Sequence, residues 1–134
     1  MWPVQGELTS GFGLRNSPFG DGSEEHAGID IAVNSGVPVV ATADGKIVQS
    51  GPSGGYGNLV QIDHGNGLST LYGHNSQLAV NIGELVKKGQ VISYAGSTGK
   101  STGPHVHYEV RENGNVVDPW KYLIFQKHLL IALK

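Results

Sequence analysis

The chain has 134 residues, 38% of them hydrophobic, which suits one compact core of ordinary domain size. Nine Lys and Arg against eleven Asp and Glu leave a formal charge of −2 with no basic cluster, so the electrostatic footprint of nucleic-acid binding is missing. There is no Cys, which removes disulfides, thiolate ligands and a cysteine nucleophile, and no apolar run reaches the roughly 18 residues that a membrane span needs.

Taken in chain order, Met1-Trp2-Pro3 opens the sequence without the charged and apolar regions of a signal peptide. For an exported protein, a targeting or membrane-anchoring segment is then expected upstream. Short stretches rich in Val, Ile and Tyr follow between glycine-containing turns and predict strands over 29–33, 37–42, 46–50, 59–64, 69–74, 90–95 and 106–112. The 21 glycines follow no repeat period and are read as turn residues. Seven short strands with little helical periodicity predict an all-β fold, an antiparallel sheet, barrel or sandwich. Asp44-Gly45, Asn66-Gly67 and Asn113-Gly114 each lie between strand candidates and predict type I′ hairpins, whose two central residues need positive φ. Gly36 to Ile47 and Gly83 to Ile92 form a weak internal repeat. Only 120–134 has helical spacing, so residues 1–123 are read as one domain and 124–134 as a short C-terminal tail of helical character.

Chemistry concentrates in three places. In His105-Val106-His107, at the start of a strand, both imidazoles project from one face about 6–7 Å apart, a spacing suited to one metal ion. His26-Ala27-Gly28-Ile29-Asp30 adds an imidazole and a carboxylate, both normal zinc ligands. Fully extended, those two would stand about 13 Å apart, so the chain must curl between them, and Gly28 is the residue that tolerates the bend. His26, Asp30 and one histidine of the 105/107 pair give three ligands and leave a fourth tetrahedral position open, the arrangement of a catalytic zinc. The other histidine is then free to move protons. His74, in Tyr72-Gly73-His74, is a further candidate.

The spaced order His-x-Gly-x-Asp, then Tyr-x-His, then Gly-x-Thr-Gly-x-Ser-Thr-Gly-Pro-His-x-His resembles the lysostaphin-like, or LytM-type, zinc peptidases across about residues 2–123. The resemblance includes Trp2-Pro3-Val4, Ser10-Gly11-Phe12-Gly13-Leu14-Arg15 and Gly96-Ser97-Thr98-Gly99. Ser93 departs from it, standing where Gly is expected. The resemblance implies a β-barrel-like fold of the duplicated hybrid type and one Zn²⁺ held by His26, Asp30 and His107. It also implies His74 and His105 as catalytic histidines, a peptidoglycan peptide as substrate, and a place of action outside the cytoplasmic membrane.

Other motifs carry less. Gly99-Lys100-Ser101 ends like a phosphate-binding loop, but Tyr94 stands where that loop needs Gly and Pro104 follows too soon for its helix, so no nucleotide is expected. His64, beside Asn66-Gly67, is read as structural, and His128 lies in the tail. No Glu sits beside a ligand as in His-Glu-x-x-His, so base duty falls to imidazole, with His105 the first choice. Two alternatives belong to other classes: a non-catalytic wall-binding or hydrolase-activating domain of this fold, and a phosphocarrier of the glucose-permease type, which has no need of Asp30.

Overall fold

A computed structural model describes residues 1–16 and 23–123. It is built almost wholly of antiparallel strands, as the alternation of apolar runs and turn residues predicts. Eight strands form the main sheet, and their order along it decides where the chemistry lies: β1 (Glu7–Ser10), β4 (Ile29–Ala32), β12 (His105–Glu112), β8 (Leu68–Asn75), β7 (Asn58–Gly65), β6 (Gly45–Pro52) and β10 (Leu85–Val86), with β13 (Asn115–Val117) also paired to β12. β5 (Pro38–Val40), β11 (Val91–Tyr94) and β9 (Gln77–Leu78) make a second, three-stranded sheet, while β2 (Gly13–Asn16) and β3 (Ser23–His26) form a separate hairpin. One hydrophobic core joins the two larger sheets: Val39 and Ile92 from the small sheet share a cluster with Ile31, Ile47, Ile62, Tyr72 and Tyr108 from the large one. A helical turn over 120–123 seats the buried Leu123 on that core; 124–134, and His128 with it, lie outside the described residues.

All seven predicted strand regions are strands, and two of the three hairpin turns are confirmed. Asn66 and Gly67 (φ 53° and 78°) join β7 to β8, and Asn113 and Gly114 (φ 53° and 82°) join β12 to β13, both with the positive φ that type I′ turns require. Asp44-Gly45 is not a hairpin. Neither residue has positive φ, and the strands on either side pair into different sheets. The glycine serves a close approach instead, since a Cβ on Gly45 would lie 2.6 Å from the Asp63 carbonyl oxygen, and the Asp44 carboxylate accepts from the Lys88 amide at 2.7 Å. The two halves of the weak repeat share a detail, Gly36 and Gly83 having φ of 91° and 92° just before β5 and β10. Ser93 is fully buried and its hydroxyl donates to Asn75 Oδ1 at 2.8 Å, so the place where glycine was expected is filled by a satisfied polar side chain.

Behind the sheet, a chain of hydroxyls runs through the interior with a fixed polarity. His64 Nδ1 can only donate to the Asp44 carbonyl (2.8 Å), which leaves Nε2 to accept from Thr70 Oγ1 (2.7 Å). Tyr72 must then donate to Thr70 (2.7 Å), Thr42 to Tyr72 (3.0 Å) and Tyr108 to Thr42 (2.9 Å). His64 is structural, as the sequence implied.

Candidate active site

Three neighbouring strands, β4, β12 and β8, assemble the site. In the β4–β12 ladder His107 lies opposite Asp30, and in the β12–β8 ladder the same His107 lies opposite Gly73. On β12 the odd residues His105, His107, Glu109 and Arg111 share one face, while Val106, Tyr108 and Val110 enter the core. By that alternation His74 should point into the core with Tyr72. It does not, because its backbone is left-handed (φ 65°), and the ring turns to lie 4.6 Å, centroid to centroid, from that of His105.

His26 ends β3, and the chain bends through Ala27-Gly28 before Asp30 in β4, so the expected curl is present. Gly28 is needed for a different reason than positive φ, which it does not use: a Cβ there would stand 2.2 Å from the Tyr108 carbonyl oxygen. The bend leaves His26 Nε2 3.3 Å from Asp30 Oδ1 and 3.2 Å from His107 Nδ1, with His107 Nδ1 3.0 Å from Asp30 Oδ1. His105 Nε2 is 3.5 Å from the same carboxylate oxygen. All five predicted residues therefore line one cleft, of about 660 Å³, with Tyr56, Lys100 and Ser101 on its walls.

The backs of the imidazoles decide what their fronts can do. His26 Nδ1 donates to the Gly11 carbonyl (2.8 Å) and His107 Nε2 faces Glu109 Oε1 (2.9 Å). His74 Nδ1 donates to the Thr98 carbonyl (2.6 Å) and His105 Nδ1 to the Gly103 carbonyl (2.8 Å). These contacts place one ring hydrogen on the outer nitrogen of each imidazole, so with no second proton on the rings His26 Nε2, His107 Nδ1 and Asp30 Oδ1 are three acceptors converging on one point. Such a cluster needs positive charge among its atoms, either a proton on an imidazole or a metal ion. Among the described residues this trio is the group whose ligand atoms lie close enough together to hold a metal ion.

Ionisation carries the same demand. Burial works against a charge on Asp30, but hydrogen bonds from the three histidines outweigh it and hold its carboxyl far below the usual range. Burial likewise disfavours a proton on His107, yet its bonds to Asp30 and Glu109 raise it to about 9. His105 is raised too, the Asp30 and Gly103 contacts overcoming burial. His74 goes the other way: burial lowers it to about 4, so its ring is neutral near pH 7.

Three residues of this cluster escaped the sequence reading. Glu109 accepts from His107, from the Tyr56 hydroxyl (2.6 Å, to Oε1) and from Arg111 (3.1 and 3.2 Å, to Oε2). The signal for two of them was present, since Glu109 and Arg111 continue the two-residue period of His105 and His107 on one strand face. Tyr56, in a 3₁₀ turn (Gly54–Tyr56), had none.

A profile of Peptidase family M23 matches residues 24–119. The chain belongs to this family. The DD-carboxypeptidase/endopeptidase Mpg of Neisseria meningitidis is 49% identical over 116 residues, which is 87% of this chain and 27% of that protein. The murein hydrolase activator NlpD of Salmonella dublin is 40% identical over 123 residues, 91% of this chain and 30% of that protein. The chain thus spans under a third of the length of these curated relatives. Among solved structures, the catalytic domain of lysostaphin from Staphylococcus simulans superposes with a TM-score of 0.80 at 36% identity, over 87% of this chain and 91% of that domain. The lysostaphin-like resemblance and the antiparallel all-β class both stand.

Proposed function

We propose that the chain is a zinc-dependent endopeptidase that hydrolyses peptide crosslinks or bridges of bacterial peptidoglycan, with one Zn²⁺ held by His26, Asp30 and His107. The observation that supports this reading is the convergence of three acceptor atoms, two imidazole nitrogens and one carboxylate oxygen, at the floor of an open cleft. Nitrogen donors suit zinc better than the oxygen shells of calcium or magnesium, and three protein ligands leave a position open. Zinc bound there would polarise the scissile carbonyl and lower the pKa of a bound water to about 7.

The chain's own groups supply the proton handling. With Nδ1 of His74 committed to Thr98 and the ring neutral, Nε2 of His74 offers a lone pair to the cleft and orients the attacking water by accepting from it. His105, whose Nε2 also faces the cleft and which retains a proton more readily, takes the water's proton and returns it to the leaving amine. The place of action is outside the cytoplasmic membrane, where peptidoglycan lies; among the described residues no helix is long and apolar enough to span a membrane.

Similarity to NlpD favours a second reading, a domain that activates other hydrolases without cutting. The full set of His26, Asp30, His74, His105 and His107 weighs against it. The purified protein, assayed for metal and then incubated with peptidoglycan and with short stem-peptide and oligoglycine substrates, separates the two. New amino termini that a chelator abolishes and zinc restores support the endopeptidase; a metal-loaded protein that cuts none of these supports the activator; absence of metal under non-chelating conditions refutes the zinc site. Ala at position 26, 30 or 107 is expected to lower metal affinity, whereas His74→Ala and His105→Ala keep the metal and lose turnover. Metal loss in His105→Ala but not His107→Ala would reverse their roles.

A further inference from the structure

Glu109 is 1% exposed, carries a charge, and lies outside the metal trio. A buried carboxylate is costly unless each oxygen is answered. Here Oε2 receives two N–H groups of Arg111, and Oε1 receives the Tyr56 hydroxyl and His107 Nε2. Arg111 also donates to the Tyr56 oxygen at 3.0 Å, so that hydroxyl has its proton fixed on Glu109 and its lone pair fixed on Arg111. Tyr56 lines the cleft, 5.8 Å from the His107 ring, but its polar group is committed to the cluster and not to the cleft.

From this arrangement we infer that Glu109, clamped by Tyr56 and Arg111, is a positioning residue for the metal centre: it holds the proton of His107 on Nε2 and so aims the Nδ1 lone pair at the metal position. The inference rests on the zinc reading above. His107 lies between two carboxylates, with Asp30 Oδ1 3.0 Å from Nδ1 and Glu109 Oε1 2.9 Å from Nε2. A metal ion bound beside Asp30 would take the place of any hydrogen on Nδ1, and Glu109 then keeps the one remaining ring hydrogen on Nε2. The carboxylate also makes the opposite nitrogen a better electron-pair donor. Tyr56 and Arg111 keep the carboxylate from rotating, each tying down a different oxygen.

The test is made on purified protein, metal-free and zinc-loaded. Zinc affinity is read by competition with a chromophoric chelator, and the His107 Nε2–H by its downfield proton resonance. Glu109→Ala is expected to weaken zinc binding by about 10–100-fold, the usual effect of losing a partner behind a metal-binding histidine, and to erase the ring-proton resonance. Glu109→Gln keeps an oxygen for His107 but turns an amide toward Arg111, so it retains the resonance with a smaller loss of affinity. If Glu109→Ala does not fold, the Gln variant and Tyr56→Phe, which frees one side of the clamp, are read in its place, and each must bind zinc several-fold more weakly than the parent. Affinities within twofold of the parent, or a ring proton that persists in Glu109→Ala, overturn the inference. Failure of the parent itself to bind zinc refutes the zinc reading instead, while the ring proton still reports on the Glu109–His107 bond.

Discussion

Replacing Gly28 by Ala tests whether the site depends on how closely β4 approaches β12. The new Cβ would stand 2.2 Å from the Tyr108 carbonyl oxygen and 2.9 Å from Glu109 Cγ. A carbon and a carbonyl oxygen settle at roughly 3.3 Å, so the two strands must part by about 1 Å. A hydrogen bond stretched by that much is lost. The strain falls where Ile29 faces Tyr108 and Asp30 faces His107, and two ladder bonds there, buried and then unanswered, cost about 1–2 kcal/mol each. Adding overpacking of about 1–3 kcal/mol, the expected loss is about 3–7 kcal/mol, a large part of the stability of an ordinary domain. Gly83→Ala is the control. It forces Ala to φ 92° but meets no atom within 4 Å, and should cost only about 1–2 kcal/mol. Urea unfolding of the metal-free proteins gives both numbers, and chelator competition should show zinc at least about tenfold weaker in Gly28→Ala alone. A Gly28→Ala protein within 1 kcal/mol of the parent, binding zinc equally well, would refute the close-approach argument.

Stability of the metal-free protein should depend on pH in two separate windows. His107, raised to about 9, contributes fully below the unfolded value near 6.5, and that contribution is lost as pH rises through 9. His74, lowered to about 4, resists the proton that the unfolded chain takes up, so stability falls as pH drops from 6.5 toward 4. Each window is of order 2–3 kcal/mol, and zinc, by displacing the His107 proton, should flatten the alkaline one; metal-free stability that increases from pH 6.5 to 9 would contradict this. Tyr72→Phe cuts the buried hydroxyl chain between Thr42 and Thr70 and should cost about 1–3 kcal/mol in thermal unfolding, with zinc affinity unchanged because the chain lies on the core side of β12.

Much of this molecule could be read from its residue order. The inner strands were legible because burial writes itself as β-branched and aromatic positions: β7 and β12 carry Val60, Ile62, Val106 and Val110 into the core, and β8 carries Tyr72. The polar β1 and the hairpin of β2 and β3 carry no such signal. Asp44-Gly45 misled because the same dipeptide serves two ends, a left-handed turn and a glycine needed where Ile62 and Asp63 crowd the backbone, and only the pairing of the neighbouring strands tells them apart. Within the site, residue type and spacing gave His26, Asp30, His105 and His107. Which nitrogen faces inward depends on Gly11, Thr98, Gly103 and Glu109, partners brought in by pairings that local sequence does not encode.

The left-handed backbone of His74 places a limit on improvement. An L-residue with a full side chain gives up about 1 kcal/mol or more to hold φ 65°, and Gly would hold it freely. The backbone at position 74 therefore favours the one substitution that deletes the imidazole, because regular strand geometry would send this ring into the core, away from His105. A screen that rewards only resistance to heat should select changes here that leave the β framework sturdier and the cleft without its neutral histidine. Under the endopeptidase reading proposed above, activity and robustness are set against each other at a single pair of torsion angles.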